Sequence, residues 1–290
     1  MKLELKNSRG SVLSLINNPY FVLTNINGQT AASANISSLT LGNLDGDIVN
    51  NSRVQPRPLI LDLRIRDNVT VEEAKRAVLS VVKIKQVCFL VWEQKDRKTQ
   101  LSGVVEGFEM PRWNNTVTMQ ISIHCSQPFW EDINDVIEEI SEAIGLHYFT
   151  AEPDDMLYFP AEGIPFGEYD FIRTKGIYNS GDVAVGLMID IEAHDTVTNP
   201  IIYDSAGRFF GIGYGNGSKK IVMQQGDIIK INTNIGQKSV TMNGLSLLNK
   251  LKPSSSWLQL EAGENTFTIN SSDENIKNMT FALKYKRRFV

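Results

Sequence analysis

Ser80-Val81-Val82-Lys83 is the first spacing in the chain with catalytic potential. On a helix, residues i and i+3 share a side, so the lysine could take the proton of a serine nucleophile. Acyl-transfer enzymes built this way also carry Ser-Asp-Asn and Lys-Thr-Gly, and neither occurs here. Gly211-Ile212-Gly213-Tyr214-Gly215-Asn216-Gly217-Ser218-Lys219-Lys220 has the composition of a phosphate cradle. Such a loop must open into a helix N-terminus, where aligned amides meet the anion. The residues that follow, Ile221-Val222-Met223, are strand-like, and the glycine spacing fits neither dinucleotide nor Walker pattern. The segment reads as a turn between strands.

Metal and acid–base candidates are few. His124, His147 and His194 are the only histidines. His124 and Cys125 are neighbours on a predicted strand, point to opposite faces, and cannot share an ion. No Cys or His pair has zinc-site spacing. Asn43-Leu44-Asp45-Gly46-Asp47 resembles part of a calcium loop without its distal glutamate and reads as a turn. Glu138, Glu139 and Glu142 read as a solvated helix face. Tyr203, Phe209, Phe210, Tyr214 and Trp257 could stack on sugars or fill a core. The sequence implies no catalytic residues, cofactor or metal.

The elements that would hold these residues are mostly strands. Leu59, Leu61, Leu63 and Ile65 alternate with Ile60, Asp62, Arg64 and Arg66, and residues 117–125 alternate in the same way. In the second half, Val183, Val185, Leu187, Ile189 and Ile191 form one apolar face, and Met279, Phe281, Leu283 and Tyr285 another. Period two gives each run one face for a core. Shorter candidates are 2–6, 12–16, 20–24, 87–92, 101–108, 221–224, 227–233, 238–242, 257–261 and 266–270. Two segments read as helix. Thr70 and Glu73 make a capping box, followed by Ala74, Val78 and Val81 on one face, with an end expected near Lys83 to Lys85. Ile133, Val136, Ile137, Ile140 and Ile144 make a second stripe, predicting a helix from Asp132 to Ile144 stopped by Gly145. The predicted fold class is mainly β: two β-sandwich-type domains, the first with one or two packed helices.

Composition narrows the function classes. The chain has 290 residues, 42% hydrophobic and 21% charged, with a formal charge of −4. That length suggests about two domains, with too much apolar content for disorder. Neither half has the basic excess that phosphate backbones demand. Two cysteines, Cys88 and Cys125, read as reduced buried thiols. No run approaches the ~18 apolar residues of a membrane span, so no membrane insertion is expected. Nor does the start have the apolar core of a secretory signal. The predicted domains are 1–146 and 147–290, with 147–176 as a connecting segment. From Trp113 through Ile172 there are 12 acids and no Lys or Arg. This stretch is either a solvated acidic surface or a face kept negative toward a basic partner or against nucleic acid.

The turns and strand ends form a series of landmarks along the chain. The landmarks begin with Pro19-Tyr20-Phe21-Val22-Leu23, Ile26-Asn27-Gly28 and Leu41-Gly42-Asn43-Leu44-Asp45-Gly46-Asp47. The basic strand Arg57 to Arg64, the helix from Val71 and His124-Cys125-Ser126-Gln127-Pro128-Phe129-Trp130 follow. The second half adds Asn179-Ser180-Gly181-Asp182, Thr198-Asn199-Pro200 and Leu260 through Phe267. In this order they resemble one family, the siphovirus distal tail proteins of phages with long non-contractile tails, and only the segment from Leu146 to Gly176 aligns with nothing.

The resemblance implies a structural hub and no enzyme. An N-terminal ring-forming β-sandwich would self-associate, as a hexamer, and a galectin-like C-terminal sandwich would lie outside the ring. The implied partners are further copies of the chain, the tail tube protein, and tail-tip, baseplate and receptor-binding proteins. DNA would pass through the channel without specific binding. The implied location is the distal end of the virion tail, after synthesis in a host cytoplasm. The alternative from the residues alone is a carbohydrate-binding adhesin or receptor-binding module using the second sandwich.

Overall fold

The computed structural model describes residues 2–42, 45–95, 97–110, 117–140, 143–146, 168–171, 174–272 and 276–290. Strands dominate, and the chain divides into two compact units. One comprises Met1–Asn134 with Arg288–Val290, the other Asp135–Arg287. The expected division at 146 and the connecting segment 147–176 fall on a stretch of which 147–167 and 172–173 lie outside the described residues.

The first unit is a nine-stranded antiparallel sheet. Its main path runs Val12–Ser14, Lys2–Asn7, Val87–Glu93, Lys98–Glu109, Thr118–Cys125, Arg57–Ile65 and Phe21–Asn27. The long strand Lys98–Glu109 pairs through its first half with Val87–Glu93 and through its second half with Thr118–Cys125. A register shift between Val105 and Gly107 interrupts the second pairing, as expected where a bulge bends a strand. Alternation does what it predicted: Leu59, Leu61, Leu63, Ile65, Met119, Ile121, Ile123 and Cys125 all face the core. The helix Val71–Val81 adds Ala74, Val78 and Val81 to that core. Its capping box is formed: Thr70 Oγ1 accepts from Glu73 N–H at 3.3 Å, and Glu73 Oε2 accepts from Thr70 N–H at 3.1 Å. The helix ends at Val81, ahead of the expected lysines, where Asn7 Nδ2 donates to the Val81 carbonyl at 3.3 Å.

The second unit packs a six-stranded and a four-stranded antiparallel sheet around a separate core. The larger runs Val136–Glu139, Met279–Tyr285, Met188–Ala193, Ile228–Asn232, Ser239–Met242 and Leu245–Ser246. The smaller runs Thr174–Asn179, Gly263–Asn270, Ile201–Asp204 and Phe209–Gly211. Ile189, Ile191, Phe281 and Leu283 of one meet Ile177, Ile202, Phe267 and Ile269 of the other in one cluster. The predicted strand through 183–191 is broken. Val185–Gly186 pairs with Gln259–Leu260, and Met188–Ala193 begins in the six-stranded sheet. At the break, Gly186 lies so close to Asn234 that a Cβ would meet its Cα at 2.6 Å. Leu187 N–H donates to the buried Thr233 hydroxyl at 2.7 Å.

The predicted helix from Asp132 to Ile144 is not formed, and among the described residues there is one α-helix. Trp130–Asp132, Val136–Glu139 and Ala143–Leu146 are strands instead. Val136–Glu139 pairs with the open edge of Met279–Tyr285, and Ile140 N–H extends the ladder to the Phe281 carbonyl at 2.9 Å. Ile137 is 57% exposed while Ile140 is fully buried, so the helical stripe does not share a face. Four isoleucines and a valine are β-branched, stiff at χ1, and well suited to a strand.

Candidate assembly interface

Among the described residues, none of the chemical candidates named from the sequence meets a partner that would make it reactive. The Ser80 hydroxyl donates to the Ala77 carbonyl at 2.8 Å, and Lys83 lies beyond the helix end. The glycine-rich loop runs from the strand Phe209–Gly211 to the strand Val222–Met223 with no helix between them. His124 is exposed and Cys125 buried, on opposite faces as expected. His194 Nε2 hydrogen-bonds the Thr280 hydroxyl. His147, Glu142, Asn43 and Leu44 lie outside the described residues. Among the described residues, no three His, Cys, Asp or Glu gather in a metal-holding group, and no helix is long and apolar enough to cross a membrane.

Cys88 and Cys125 are buried free thiols, with burial pushing them up to about 12 and about 11. At neutral pH they are protonated and poor nucleophiles. Most of the stretch 113–172 lies outside the described residues. Two of its acids are matched by cations from later in the chain: Glu131 accepts from Arg288 at 2.7 Å, and Glu138 pairs with Lys175 at 3.0 Å.

The surface that stands out is a hairpin which strand periodicity missed. Ala34–Leu39 and Ile48–Val54 pair only with each other, in the connection between Phe21–Asn27 and Arg57–Ile65. Every residue of both strands is exposed. Cross-strand partners share a face, so the register sorts the side chains. Ala34 opposes Val54, Ile36 opposes Ser52 and, past a register shift, Ser38 opposes Val49; these make one largely apolar face. Asn35, Arg53, Ser37 and Asn51 occupy the other, with Leu39 and Ile48 at its far end. Ile36 and Val49 are each 58% exposed.

The root of this hairpin is held firmly. Gly28 takes φ +83°, and a Cβ there would lie 2.1 Å from the Pro58 carbonyl oxygen, so only glycine fits. The buried Arg57 guanidinium donates through Nη1 to the Gly28 and Gln29 carbonyls at 3.4 and 3.3 Å. Trp130 Nε1 donates to the same Gln29 carbonyl at 3.4 Å. Gln55 N–H closes the base onto the Ser33 carbonyl at 2.8 Å. A two-stranded hairpin alone in water is marginal, and its two outer edges offer unpaired backbone groups. Within one copy the hairpin thus leaves an apolar face and two strand edges uncovered among the described residues. Its Ser/Asn content gives no alternating signal in the sequence, because no side is buried within one copy.

Comparison with known proteins bears on the fold. Residues 180–289 match the family model described as the siphovirus-type tail component, C-terminal domain. The crystal structure of SPP1 Dit, described as a paradigm of the hub adsorption apparatus in phages infecting Gram-positive bacteria, superposes with a TM-score of 0.68. It is 11% identical, over 99% of this chain and 99% of that one. A chain of the phage P2 baseplate in its activated conformation with Ca matches at a TM-score of 0.50. There the identity is 13%, over 100% of this chain and 99% of that one. Among curated protein sequences none matches at a significant level. At such identities the structural likeness concerns the fold. Residues 180–289 are therefore similar to the C-terminal domain of the siphovirus-type tail component family, and the whole chain shares the fold of SPP1 Dit.

Proposed function

We propose that the chain is the structural hub at the distal end of a long non-contractile phage tail, with no catalytic step of its own. Copies assemble head to tail into a closed ring of six. The ring joins the tail tube above to tail-tip, baseplate and receptor-binding proteins below, and DNA passes through its channel without specific contacts. Synthesis takes place in the host cytoplasm, and the protein leaves with the virion.

The observation that carries the ring is the hairpin Ala34–Leu39/Ile48–Val54, fully exposed and apolar on one face. Its two strands present different free edges. A head-to-tail interface needs two different complementary patches on each subunit, and one strand edge can meet the other edge of the next copy. The formal charge of −4 divides equally between residues 1–146 and 147–290, so attraction between oppositely charged halves does not drive assembly.

Negative-stain imaging and light scattering of the full chain test this reading. Closed rings are expected for the natural sequence. The double variant Ile36→Asp, Val49→Asp should stay monomeric with an unchanged thermal midpoint, because neither side chain is buried within one copy. A natural chain that stays monomeric up to millimolar concentration, or a variant that still closes rings, would refute the assignment.

A further inference from the structure

The glycine-rich loop, read from sequence as a plain turn, walls a cavity of about 230 Å³ inside the second unit. Tyr203, Tyr214, Lys252, Asn270 and Ser272 line it, together with Gly211, Gly213 and Gly215. The volume lies below the roughly 300–1,000 Å³ of sites for drug-sized ligands and suits a ligand of about one sugar ring.

Its walls are fixed. The buried Asn199 spends its whole amide on the loop: Oδ1 accepts from Ile221 N–H at 2.9 Å, and Nδ2 donates to the Gly215 carbonyl at 3.4 Å. Gly213 N–H donates to the Lys250 carbonyl at 2.8 Å, and Lys252 N–H to the Gly211 carbonyl at 2.9 Å. Gly213 has φ +79°, and a Cβ there would stand 2.2 Å from Asn199 Oδ1. The loop thus takes its course against Asn199 because Gly213 has no side chain, and its hydrogen bonds hold the wall without a ligand.

Several of its functional groups have no protein partner among the described residues. Among the described residues, neither the Tyr203 nor the Tyr214 hydroxyl has a protein partner. Asn270 Oδ1 accepts from Ser271 N–H at 2.8 Å, leaving its amide N–H groups available. The Lys252 ammonium joins no ion pair among the described residues and stands 5.1 Å from the centre of the Phe209 ring. Phe209 in turn packs against Tyr203, centroids 6.0 Å apart. Two phenol rings, several neutral donors and acceptors, and one unmatched cation match a ring with many hydroxyls beside a single negative charge.

We propose that this cavity binds an acidic saccharide unit. The sugar ring lies against Tyr214, its hydroxyls meet the Tyr203 hydroxyl, Asn270 and Ser272, and its anionic group meets Lys252. The site lies wholly within the second unit and does not depend on ring formation.

Saturation-transfer NMR on the full chain, with glucuronate, glucose 6-phosphate and glucose offered separately, tests the assignment. Transfer is expected to at least one of the two anions, distinguishing carboxylate from phosphate, with glucose at least fivefold weaker. Lys252→Gln should weaken the bound anion at least fivefold, and Tyr203→Phe, which removes only a hydroxyl, should weaken it severalfold. Both variants should keep the natural thermal midpoint. Transfer to none of the three, glucose binding as tightly as either anion, or anion binding unchanged in both variants overturns the proposal.

Discussion

At the scale of single residues, the two cysteines show how burial decides chemistry. Cys88 is 2% exposed and Cys125 fully buried. Burial is the largest cause of each shift, and the effect is to hold both as thiols well above the ordinary range. A group whose folded pKa is raised gives stability that is complete below its unfolded pKa and lost as pH climbs toward the folded value. The window therefore opens near pH 9 and closes at about 11 for Cys125 and about 12 for Cys88. Within it, each thiol removes about 1.4 kcal/mol of stability per pH unit. Urea midpoints from pH 7 to 11 should fall more steeply for the natural chain than for the Cys88→Ala, Cys125→Ala variant. Parallel profiles would show that the thiols are not the cause. The residue types alone predicted reduced, buried thiols, because both sit in apolar or alternating runs. Arg57 gave no such signal. It is buried, with Nε and Nη2 lacking partners among the described residues and desolvation lowering its pKa. Its position is set by the hairpin root, which joins residues 28 apart in sequence.

At the scale of elements, one predicted helix formed and the other did not, for reasons visible in their residues. Val71–Val81 has a reciprocal cap and alanines and valines on one stripe, and its signals are local. The segment from Asp132 has a stripe of similar quality but β-branched residues throughout, and the open edge of Met279–Tyr285 recruits it. That edge lies far along the chain, where no local window reaches it. The two readings are separable by mutation. A helix would bury Ile137 and Ile140 together, whereas the strand buries only Ile140. Ile137→Ala should change stability within about 0.5 kcal/mol, as exposed sites do. Ile140→Ala should cost about 2–5 kcal/mol through lost burial and a cavity. Equal costs measured by urea unfolding would restore the helix. The hairpin Ala34–Leu39/Ile48–Val54 escaped for the opposite reason. Alternation marks strands that have an inside, and within one copy this hairpin has none.

At the scale of the whole molecule, the chain leaves its first unit after Asn134 and returns to it at Arg288. Arg288–Phe289 pairs with Trp130–Asp132, which itself pairs with Lys98–Glu109. Sequence patterns rank strands by their own residues, so nothing in two residues near position 288 announces a partner at 130. Both cores, in contrast, were readable, because long alternating runs such as 57–65 and 279–285 carry their inside face in the local pattern. The returning strand has a measurable role. Phe289 is 6% exposed within the first core, and the Arg97 guanidinium lies over its ring at 3.0 Å. The Arg288–Glu131 ion pair, both side chains about four-fifths buried, holds the register beside it. Removing the ring opens a cavity against Trp130 and leaves the guanidinium without its π face, so Phe289→Ala should cost about 3–5 kcal/mol. The loss belongs to the first unit alone. Hydrogen exchange should show amides of Lys98–Glu109 losing protection by a factor of about 100 or more, while those of Met279–Tyr285 keep theirs. Equal loss in both strands would mean that the units open together. No loss in either would mean that the returning strand is ornamental to the core it joins.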